Sequence, residues 1–346
     1  MNRQKASFAP RLLRWFDQHG RHDLPWQHPR TAYRVWLAEI MLQQTQVGTV
    51  IPYYRRFLKK FPSLRALAAA SPDAVLAQWS GLGYYARARN LHRAAQLVAI
   101  QHGGRFPRDF EGVAALPGVG RSTAGAILAQ AFGQRHAILD GNVRRVLARH
   151  AGIAGWPGEL KVAAELWTIA EQHLPRNRLA DYTQALMDLG ATVCTARKPQ
   201  CPSCPMKADC VALRDGRLAE LPGAKPRRAR PQRRANILLI SDGRRWLLER
   251  RPPAGIWGGL WCLPVIEGRW QAELAKRHGL KPGLARRLPT IRHSFSHFDL
   301  DLRPLMMTAV AATKAAEIQE AAWLTLSEAL KRGLPAPVRT LLQTLK

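Results

Sequence analysis

The chain contains 346 residues, 47% of them hydrophobic, with 53 lysines and arginines against 24 aspartates and glutamates, which gives a formal net charge of +29. This excess of cations is self-repelling unless a polyanion offsets it, and nucleic-acid phosphate is the commonest polyanion. No apolar run approaches the roughly 20 residues that span a bilayer, and arginines interrupt the N-terminal segment where a secretory signal would be continuously apolar. We therefore expect a soluble intracellular protein that binds nucleic acid and no membrane, and its length allows two domains.

The first 220 residues predict an all-helical domain. Amphipathic stretches follow one another between glycine and proline breaks, and strand-like alternation is almost absent. Clear examples are SPDAVLAQWS at 71–80, ARARNLHRAAQLVAIQHG at 86–103 and KVAAELWTIAEQHL at 161–174. The pattern indicates a helical fold but does not by itself indicate a reaction.

One carboxylate, Glu39, lies in the apolar helical run LAEIMLQQTQV at 37–47. At about 100° per residue the core stripe of this helix consists of Tyr33, Trp36, Leu37, Ile40 and Met41. Glu39 projects from another face, together with Val35, Leu42, Gln43 and Gln46. On this mixed apolar and amide surface, partial desolvation would raise the pKa of Glu39 and keep it an acid near neutral pH. A solvated surface glutamate is the alternative.

A glycine turn precedes an alanine-rich helix in LPGVGRSTAGAILAQAFG at 116–133. Gly118 and Gly120 permit positive φ and close backbone approach, which leaves amide N–H groups at the helix N-terminus free to hold an anion. An ordinary turn between two helices is the alternative. The sequence is similar to the helix-hairpin-helix DNA-binding motif, which we expect at about 112–133.

The stretch ILDGNVRRVLARH puts Asp140 ahead of a helix that carries Arg144, Arg145 and Arg149. An aspartate at this place is most simply a helix N-cap. The helix N-terminus also favours its ionised form, and a permanent anion is what a developing sugar cation would need. Asp140 and Glu39 are thus two carboxylates in unlike surroundings, which is the arrangement that cleavage of a glycosidic bond requires.

Four of the five cysteines fall within seventeen residues, spaced C-x6-C-x2-C-x5-C. They are Cys194, Cys201, Cys204 and Cys210. In a reducing compartment such clustering indicates metal ligation rather than disulfides. Four thiolates without a histidine suit either a tetrahedral zinc ion or an iron–sulfur cluster. The donor set alone leaves both possibilities open.

Residues 221–235, LPGAKPRRARPQRRA, predict a basic linker because they are rich in proline and arginine and have no hydrophobic period. Beyond the linker, runs such as NILLI, RWLLERR and LRPLMMTAV predict strands, whereas WQAELAKRHG and LSEALKRGL predict helices. We therefore expect a separate domain with both helices and strands at 236–346. Within it, IRHSFSHFDLDL at 291–302 alternates as a strand, an ordinary hairpin being the alternative.

The segment PPAGIWGGLWCLPVIEG at 252–268 resembles the glycine-rich segment of Nudix hydrolases. The carboxylate-rich helix of that family does not follow it, because RWQAELAKRHG supplies one glutamate, Glu273. Hydrolysis of a pyrophosphate needs several carboxylates to hold Mg²⁺. We expect that the Nudix fold is retained and the hydrolase activity lost.

Together, DLPWQ, VWLAEIMLQQTQV, GLGYYARARNL, LPGVGRSTAGAI, LDGNVRRVL and the four cysteines resemble the MutY-type adenine DNA glycosylases of the endonuclease III superfamily. The resemblance implies a multi-domain chain with an N-terminal all-α helix-hairpin-helix glycosylase fold and a C-terminal α+β Nudix-like domain. It also implies base excision repair, in which adenine mispaired with 8-oxoguanine or guanine is removed from double-stranded DNA. The cysteine spacing matches the loop that holds a structural four-iron, four-sulfur (4Fe-4S) cluster in this superfamily. A cytoplasmic, nucleoid-associated monomer is expected.

The resemblance assigns roles to individual positions. Glu39 would protonate the adenine, a step that is chemically needed because adenine leaves poorly as an anion. Asp140 would stabilise the oxocarbenium-like sugar, with Asn142 near the sugar and the attacking water. The residues implied to enter the duplex and surround the flipped adenine are Leu42, Gln43, Gln44 and Tyr84. Those implied to inspect the oxidised guanine are Phe295, Ser296 and His297.

Ser122 distinguishes two branches of the superfamily. In the bifunctional endonuclease III branch a lysine at this place forms a Schiff base with the sugar and cuts the strand. A hydroxyl cannot form the imine, so Ser122 predicts a monofunctional glycosylase that uses water and leaves an abasic site. Some relatives have tyrosine there, which leaves the contribution of the serine itself open.

Three other functions compete with this interpretation. An endonuclease III-like lyase acting on oxidised pyrimidines is disfavoured by Ser122 and by the additional C-terminal domain. A DNA-binding protein without catalysis is disfavoured by the presence of both Glu39 and Asp140. A working Nudix hydrolase is disfavoured by the missing carboxylates.

Overall fold

The computed structural model describes residues 3–226, 229–311 and 320–345. It divides into two compact units, the first formed by Met1–Ala68 with Arg93–Arg227 and the second by Ala69–His92 with Arg228–Lys346. Residues 69–92 are largely helical, as the sequence predicts, but they pack with the C-terminal residues. The division into compact units therefore does not follow the order of the chain.

The helices up to residue 214 are α1 (Arg3–His19), α2 (Ala32–Leu42), α3 (Val47–Lys60), α4 (Leu64–Ala68), α5 (Pro72–Trp79), α6 (Ala86–Gln101), α7 (Phe110–Ala114), α8 (Arg121–Phe132), α9 (Gly141–Ala151), α10 (Leu160–His173), α11 (Leu179–Asp188) and α12 (Val211–Arg214). The three stretches that predict helices most clearly correspond to α5, α6 and α10. Side-chain caps begin several of these helices, as when Thr31 Oγ1 accepts the backbone N–H of Arg34 at the start of α2.

Large side chains from α1, α9, α10 and α11 share one core in the first unit. Phe8, Leu147, Leu166 and Tyr182 are each at most 2% exposed within it. Among the described residues, no helix combines the length and the hydropathy of a membrane span.

Helix α2 is buried on more sides than its periodicity suggests. Val35, which the sequence placed on the same face as Glu39, is 1% exposed, and Trp36, Leu37, Ile40 and Met41 are also buried. Helix α8, which follows the glycine turn, packs against α2. The face that carries Glu39 is therefore buried at Val35, whereas Gln46 at its other end is exposed.

The second unit is built on a mixed sheet. Its strands are β1 (Gln232–Ser241), β2 (Trp246–Arg250), β3 (Trp261–Cys262), β4 (Val265–Ile266), β5 (Leu280–Pro282), β6 (Arg286–Arg287), β7 (Ile291–Ser294), β8 (Asp299–Ala311) and β9 (Ala321–Leu324), and its C-terminal helices are α13 (Trp270–His278), α14 (Leu326–Leu330) and α15 (Ala336–Gln343). The main path runs β3-β2-β1-β8-β5. Strands β1 and β8 are parallel, whereas β7 pairs with β8 and β9 with β2 in antiparallel fashion.

Two sequence predictions need adjustment here. Strand β1 begins at Gln232, inside the predicted linker, because Gln232 to Ser241 find parallel partners at Asp299 to Thr308 of β8. The stretch 291–302 does not form one strand. It forms β7, a turn at 295–298 and the start of β8, and the turn is closed by the bond from Phe295 N–H to the Phe298 carbonyl at 2.9 Å.

Candidate active site

A cavity of about 790 Å³ opens in the first unit at the C-terminal end of α2 and the N-terminal end of α9. It is lined by Arg21, Leu24, Trp26, Glu39, Leu42, Gln44, Thr45, Gln46, Val47, Asp140, Gly141, Asn142, Arg145, Gln184, Met187, Gly190, Ala191, Thr192, Thr195 and Ala196. Both carboxylates that the sequence singled out, Glu39 and Asp140, are among them. Glu39 of a helix interior and Asp140 of a helix N-cap, 101 residues apart in the chain, thus face one space.

Glu39 lies one turn before the end of α2. The residue as a whole is half-buried, but its carboxyl group is enclosed, and Gln130 Nε2 of α8 donates a hydrogen bond to Oε1 at 2.9 Å. Burial, followed by the negative charge of Asp140, raises the pKa of Glu39 to about 7, and the Gln130 hydrogen bond opposes this shift. Glu39 can therefore carry a proton close to neutral pH.

Asp140 is the N-cap of α9, and its Oδ1 accepts the backbone N–H of Val143 at 2.8 Å. Burial raises its pKa above the ordinary value, while the N–H groups of Val143 and Asn142 and the charges of Arg145 and Arg144 act in the opposite direction. The capping role and the position in the cavity are compatible, because one carboxylate oxygen can accept the cap bond while the group still lines the cavity.

Asn142 follows Asp140 by two residues and is held by Arg145. The Arg145 guanidinium donates to Asn142 Oδ1 at 2.8 Å and to the Gly190 carbonyl at 2.6 Å. A side chain at position 190 would place its Cβ 2.6 Å from Asn142 Cβ, so glycine is required for this approach. Arg145 also donates to the Cys194 carbonyl at 2.7 Å, which joins the cavity wall to the cysteine loop.

The side chains at the end of α2 and just after it diverge in direction. Leu42 and Gln44 line the cavity, and Gln44 has a left-handed backbone with φ of 57°. Gln43 is directed toward the glycine turn, where its Nε2 donates to the Gly118 carbonyl at 3.2 Å. Of the four residues expected to enter the duplex and surround a flipped base, the structure therefore brings Leu42 and Gln44 to the cavity and Gln43 to the hairpin. The fourth, Tyr84, belongs to the second unit.

The hairpin between α7 and α8 uses a left-handed backbone at only one of the two glycines for which the sequence allowed it, because Gly120 has φ of −99°. Gly118 has φ of 82°, and Gly120 is the N-cap of α8 without a side-chain cap. Ser122, one residue into α8, accepts the backbone N–H of Leu139 on its Oγ at 2.9 Å. The serine hydroxyl thereby fixes the backbone immediately before Asp140.

Tyr84 lies in the second unit, in the turn between α5 and α6. It has a left-handed backbone with φ of 48°, its side chain is 51% exposed, and the Arg87 guanidinium lies 5.4 Å from its ring centroid. The exposure of a large aromatic ring on a constrained turn is what an intercalating side chain needs.

The Phe295, Ser296 and His297 triplet forms the β7–β8 turn of the second unit. Ser296 and His297 are exposed, and Phe295 is half-buried with its ring stacked 4.7 Å from that of Phe298. Trp257 and His293 also contact the Phe295 ring, with centroids at 5.7 and 4.6 Å. The turn is thus a polar tip on an aromatic base.

Cys194, Cys201, Cys204 and Cys210 line a single pocket, together with Arg149. Arg149 Nη1 lies 3.6 Å from Cys194 Sγ and also donates to the Thr195 carbonyl at 2.7 Å. This donor set, four thiols with a cation beside one of them, fits an anionic metal–thiolate centre. Within the described part of the chain, no group of three or more His, Cys, Asp or Glu side chains is placed so that it could hold a single metal ion.

Comparison with known proteins is consistent with this geometry. Residues 37–172 match the family model of the HhH-GPD superfamily of base excision DNA repair proteins, and residues 236–344 match that of the NUDIX domain. The adenine DNA glycosylase of Buchnera aphidicola subsp. Acyrthosiphon pisum is 36% identical over 99% of this chain and 98% of its own length. The chain belongs to the adenine DNA glycosylase family.

Other relatives agree with this assignment. The adenine DNA glycosylase of Mus musculus is 37% identical over 93% of this chain and 75% of its own length. Among solved structures, a thermostable thymine-DNA glycosylase is 30% identical with a TM-score of 0.57, over 62% of this chain and 98% of its own. The predicted resemblance to this family and the predicted fold class are both confirmed.

Among the residues that line the cavity, Arg21, Trp26 and Gln184 were given no role by the sequence patterns. Arg21 pairs with the fully buried Asp188 at 2.6 Å, and Gln184 Nε2 donates to the same carboxylate at 2.7 Å. The Oε1 atom of Gln184 is buried without a hydrogen-bond partner in the described residues. Trp26 belongs to the DLPWQ segment, which was a usable signal, whereas Gln184 lies in an ordinary helical sequence.

The Nudix-like part has one glutamate and a basic last turn in α13, the helix that follows its glycine-rich segment. In α13, Glu273 is followed by Lys276, Arg277 and His278. Arg277 is paired at 2.6 Å with Glu249, which is 3% exposed. The helix therefore presents cations where Mg²⁺ binding would need carboxylates.

Proposed function

We propose that this chain is a monofunctional DNA glycosylase that hydrolyses the N-glycosidic bond of adenine mispaired with 8-oxoguanine or guanine and leaves an abasic site. The observation that carries the proposal is the shared cavity of Glu39 and Asp140, in which the pKa of Glu39 is raised to about 7. An acid and an anion facing one space are what departure of a purine from its sugar requires.

Glu39 is the general acid. Adenine extruded from the duplex enters the cavity, and the Glu39 carboxyl donates its proton to a ring nitrogen of the base. The electron pair of the glycosidic bond then leaves with a neutral base instead of an anion. Gln130 holds the carboxyl in place through the 2.9 Å hydrogen bond to Oε1.

Asp140 stabilises the positive charge that develops on the sugar. Its carboxylate is fixed by the cap bond to Val143 N–H, so little reorganisation is needed during the reaction. A water molecule adds to C1′ and loses its proton to the Glu39 carboxylate, which gave up its own proton to the departing base. Asn142, oriented by Arg145, lines the same cavity and can hold the water.

Recognition of adenine is assigned to Gln184 and Trp26. Gln184 lines the cavity, and its buried Oε1 has no partner in the described residues. After a rotation that turns this oxygen toward the cavity, it can accept a hydrogen bond from the exocyclic amine of adenine. Trp26 offers an aromatic surface in the same cavity. A base with a carbonyl oxygen in place of the amine would leave the acceptor unpaired, which disfavours its entry.

The absence of lyase activity is assigned to Ser122. The position holds a hydroxyl, which cannot form an imine with the sugar aldehyde, and this hydroxyl already accepts the Leu139 N–H. Strand cleavage is therefore not part of the reaction.

A 4Fe-4S cluster fits the loop formed by Cys194, Cys201, Cys204 and Cys210. When bound, the cluster supplies cross-links between four points of a loop that has little regular structure. Arg145 and Arg149 connect that loop to α9 through the carbonyls of Cys194 and Thr195. The chain itself thus ties the cluster loop to the helix that begins at Asp140.

The partner is double-stranded DNA containing the mispair, bound by a monomer with an excess of positive charge. We assign Tyr84 to the unstacking of the duplex, the hairpin glycines Gly118 and Gly120 to phosphate, and the exposed Ser296 and His297 to the edge of the oxidised guanine. We assign Phe295, whose ring stacks on Phe298, to the support of Ser296 and His297.

The proposal is tested by incubating the full-length protein with a panel of duplexes that pair adenine with 8-oxoguanine, guanine, thymine or cytosine. Strand breaks at adenine that appear only after alkali, and only opposite the two purines, support it. Breaks without alkali would indicate a lyase instead. Tight binding of the adenine–oxoguanine duplex without base loss would indicate a DNA-binding protein without catalysis.

A further inference from the structure

The Tyr84 turn is anchored on both sides to the C-terminal residues of its unit. On the α5 side, Asp73 contacts Arg250 at 3.1 Å, Arg332 at 3.3 Å and the indole N–H of Trp261 at 3.0 Å. These three partners come from β2, β3 and the segment after α14. Tyr84 therefore belongs mechanically to the domain that carries the Phe295 turn.

On the α6 side, Arg89 Nη1 donates to the Gly258 carbonyl at 2.6 Å. Gly258 lies in the loop 251–260, which is closed by hydrogen bonds between Arg251 and Gly259 at 3.0 Å and between Arg251 and Leu260 at 2.8 Å. A Cβ at Gly258 would lie 2.3 Å from the Pro253 carbonyl oxygen, so the loop is tightly folded. The charged Arg89 guanidinium makes a strong hydrogen bond to this loop, so a displacement of the loop would displace α6 as well.

Trp257, the neighbour of Gly258, connects this loop to the Phe295 turn. Its ring is 6% exposed and lies 5.7 Å from the rings of both His293 and Phe295. Its backbone has φ of 57°, a left-handed conformation that a tryptophan adopts only where the surroundings enforce it. The strained backbone aims the indole at the aromatic base of the turn.

We propose that Arg89 and Trp257 are positioning residues that fix the Tyr84 turn relative to the Phe295 turn through the loop 251–260. Contacts run from α6 through Arg89 to Gly258, and from the adjoining Trp257 to Phe295. The side chain that enters the duplex and the turn that inspects the oxidised base then move as one body. Preference for 8-oxoguanine depends on that fixed separation, and this inference rests on the proposed function.

The first test compares Arg89→Met with Arg93→Met, an exposed arginine one turn later in α6. Methionine keeps an unbranched apolar chain in place of the arginine stem and removes the donor. Single-turnover excision is measured on adenine–oxoguanine and adenine–guanine duplexes. Arg89→Met should lower the preference for oxoguanine by about tenfold, the effect of one hydrogen bond from a charged group, and Arg93→Met should keep it. The proposed bridge is this link from Arg89 through the loop 251–260 to Trp257. An unchanged preference in Arg89→Met, or an equal loss of excision rate on both duplexes, would contradict it.

A second readout needs no DNA. Amide hydrogen exchange of the free full-length protein should become faster at 251–260 and at 295–298 in Arg89→Met, because the bridge restrains both segments. A residue that acts only by touching phosphate would leave exchange in the free protein unchanged, and that result would contradict the proposal.

The third test is a double-variant comparison with Trp257→Gly, since glycine accepts the left-handed backbone and removes the ring. If both residues act through one bridge, the double variant loses no more preference than the more affected single variant. Losses that multiply would show independent effects and overturn the bridge. If Trp257→Gly does not fold, the excision preference and the hydrogen exchange of Arg89→Met decide between these outcomes without it. A wild-type protein without oxoguanine preference would contradict the proposed function instead, so the two failures are distinguishable.

Discussion

Gln130 Nε2 donates a hydrogen bond to Glu39 Oε1 at 2.9 Å, from a side chain that is 4% exposed. A donor aimed at a carboxylate favours the charged form, whereas burial and the nearby charge of Asp140 favour the neutral form. The second pair of effects dominates, because the pKa of Glu39 is raised to about 7. Gln130 thus orients the acid without fully ionising it.

Replacing Glu39 by glutamine should abolish excision and preserve binding. Glutamine keeps the shape of the side chain but cannot transfer a proton. The excision rate should therefore fall by about a hundredfold to ten-thousandfold, the usual contribution of general acid catalysis. Single-turnover excision and Kd for an adenine–oxoguanine duplex measure the two effects. Glu165→Gln, an exposed glutamate of α10, is the matched control. Wild-type rates in Glu39→Gln would remove Glu39 from the mechanism.

The excision rate should fall as the pH rises through about 7, because Glu39 must be protonated to act. Gln130→Met removes a donor that stabilises the carboxylate, so the pKa rises further and this limb of the pH profile should move to higher pH. Comparison of single-turnover rates from pH 5 to 9 measures the shift, with wild type as reference. Movement of the limb to lower pH would contradict the assigned direction.

The same pKa also has a consequence for stability that does not involve DNA. The folded protein retains the Glu39 proton above its ordinary pKa of 4.5, where the unfolded chain has released it. The contribution of this group to the free energy of unfolding therefore falls as the pH rises from about 4.5 to about 7. Chemical denaturation of wild type and Glu39→Gln across this range should show the difference. A wild-type stability that rises with pH relative to Glu39→Gln would refute the raised pKa.

The sequence predicted the two carboxylates because each depends on local structure. Helical periodicity separates Glu39 from the core stripe, and a helix start identifies Asp140. Arg21 was not predictable in this way, since it reaches Asp188 only when α11 packs beside the segment after α1. Gln184 lies one helical turn before Asp188 in α11, so their contact is local, but no local pattern shows that Gln184 lines the cavity. The burial of Val35 likewise depends on neighbouring helices and not on the periodicity of α2.

The fold of the second unit shows the same limit. Short apolar runs predicted β1, β2 and β8, but no local pattern indicates that residues 69–92 pack with them. That packing depends on single long-range contacts such as Asp73 with Arg332 and Arg89 with Gly258. Polar contacts of this kind leave no periodic trace in a sequence.

Ser122→Lys should introduce some strand cleavage, because an amine at this place can attack the sugar aldehyde that excision produces. The substitution also removes the acceptor of the Leu139 N–H, so excision itself should slow. Trapping with borohydride detects the covalent complex, and wild type provides the baseline. Failure to trap any complex would show that an amine at position 122 is not sufficient for lyase chemistry.

Cys201→Ser should reduce bound iron and loosen the loop between Cys194 and Cys210, because the cross-link supplied by four ligands would be incomplete. Iron content and the visible absorbance of the purified protein measure the first effect, and limited proteolysis measures the second. Cys262→Ala is the control, since Cys262 lies in β3 of the second unit and is fully buried. Full iron content in Cys201→Ser would exclude Cys201 as a ligand.

Phe295→Ala in the full-length chain should reduce the preference for 8-oxoguanine over guanine opposite adenine more than it reduces excision from the adenine–guanine duplex. The ring stacks on Phe298 and contacts Trp257 and His293, so its removal leaves the exposed Ser296 and His297 without support. A truncation near residue 222 is a poorer test, because it would uncover the face of α5 that packs with the C-terminal residues. Arg244→Ala, in the exposed turn between β1 and β2, is the matched control. If Phe295→Ala kept the wild-type preference, the Phe295 turn would have no part in oxoguanine recognition. The proposed link through Trp257 would then have no function in that recognition.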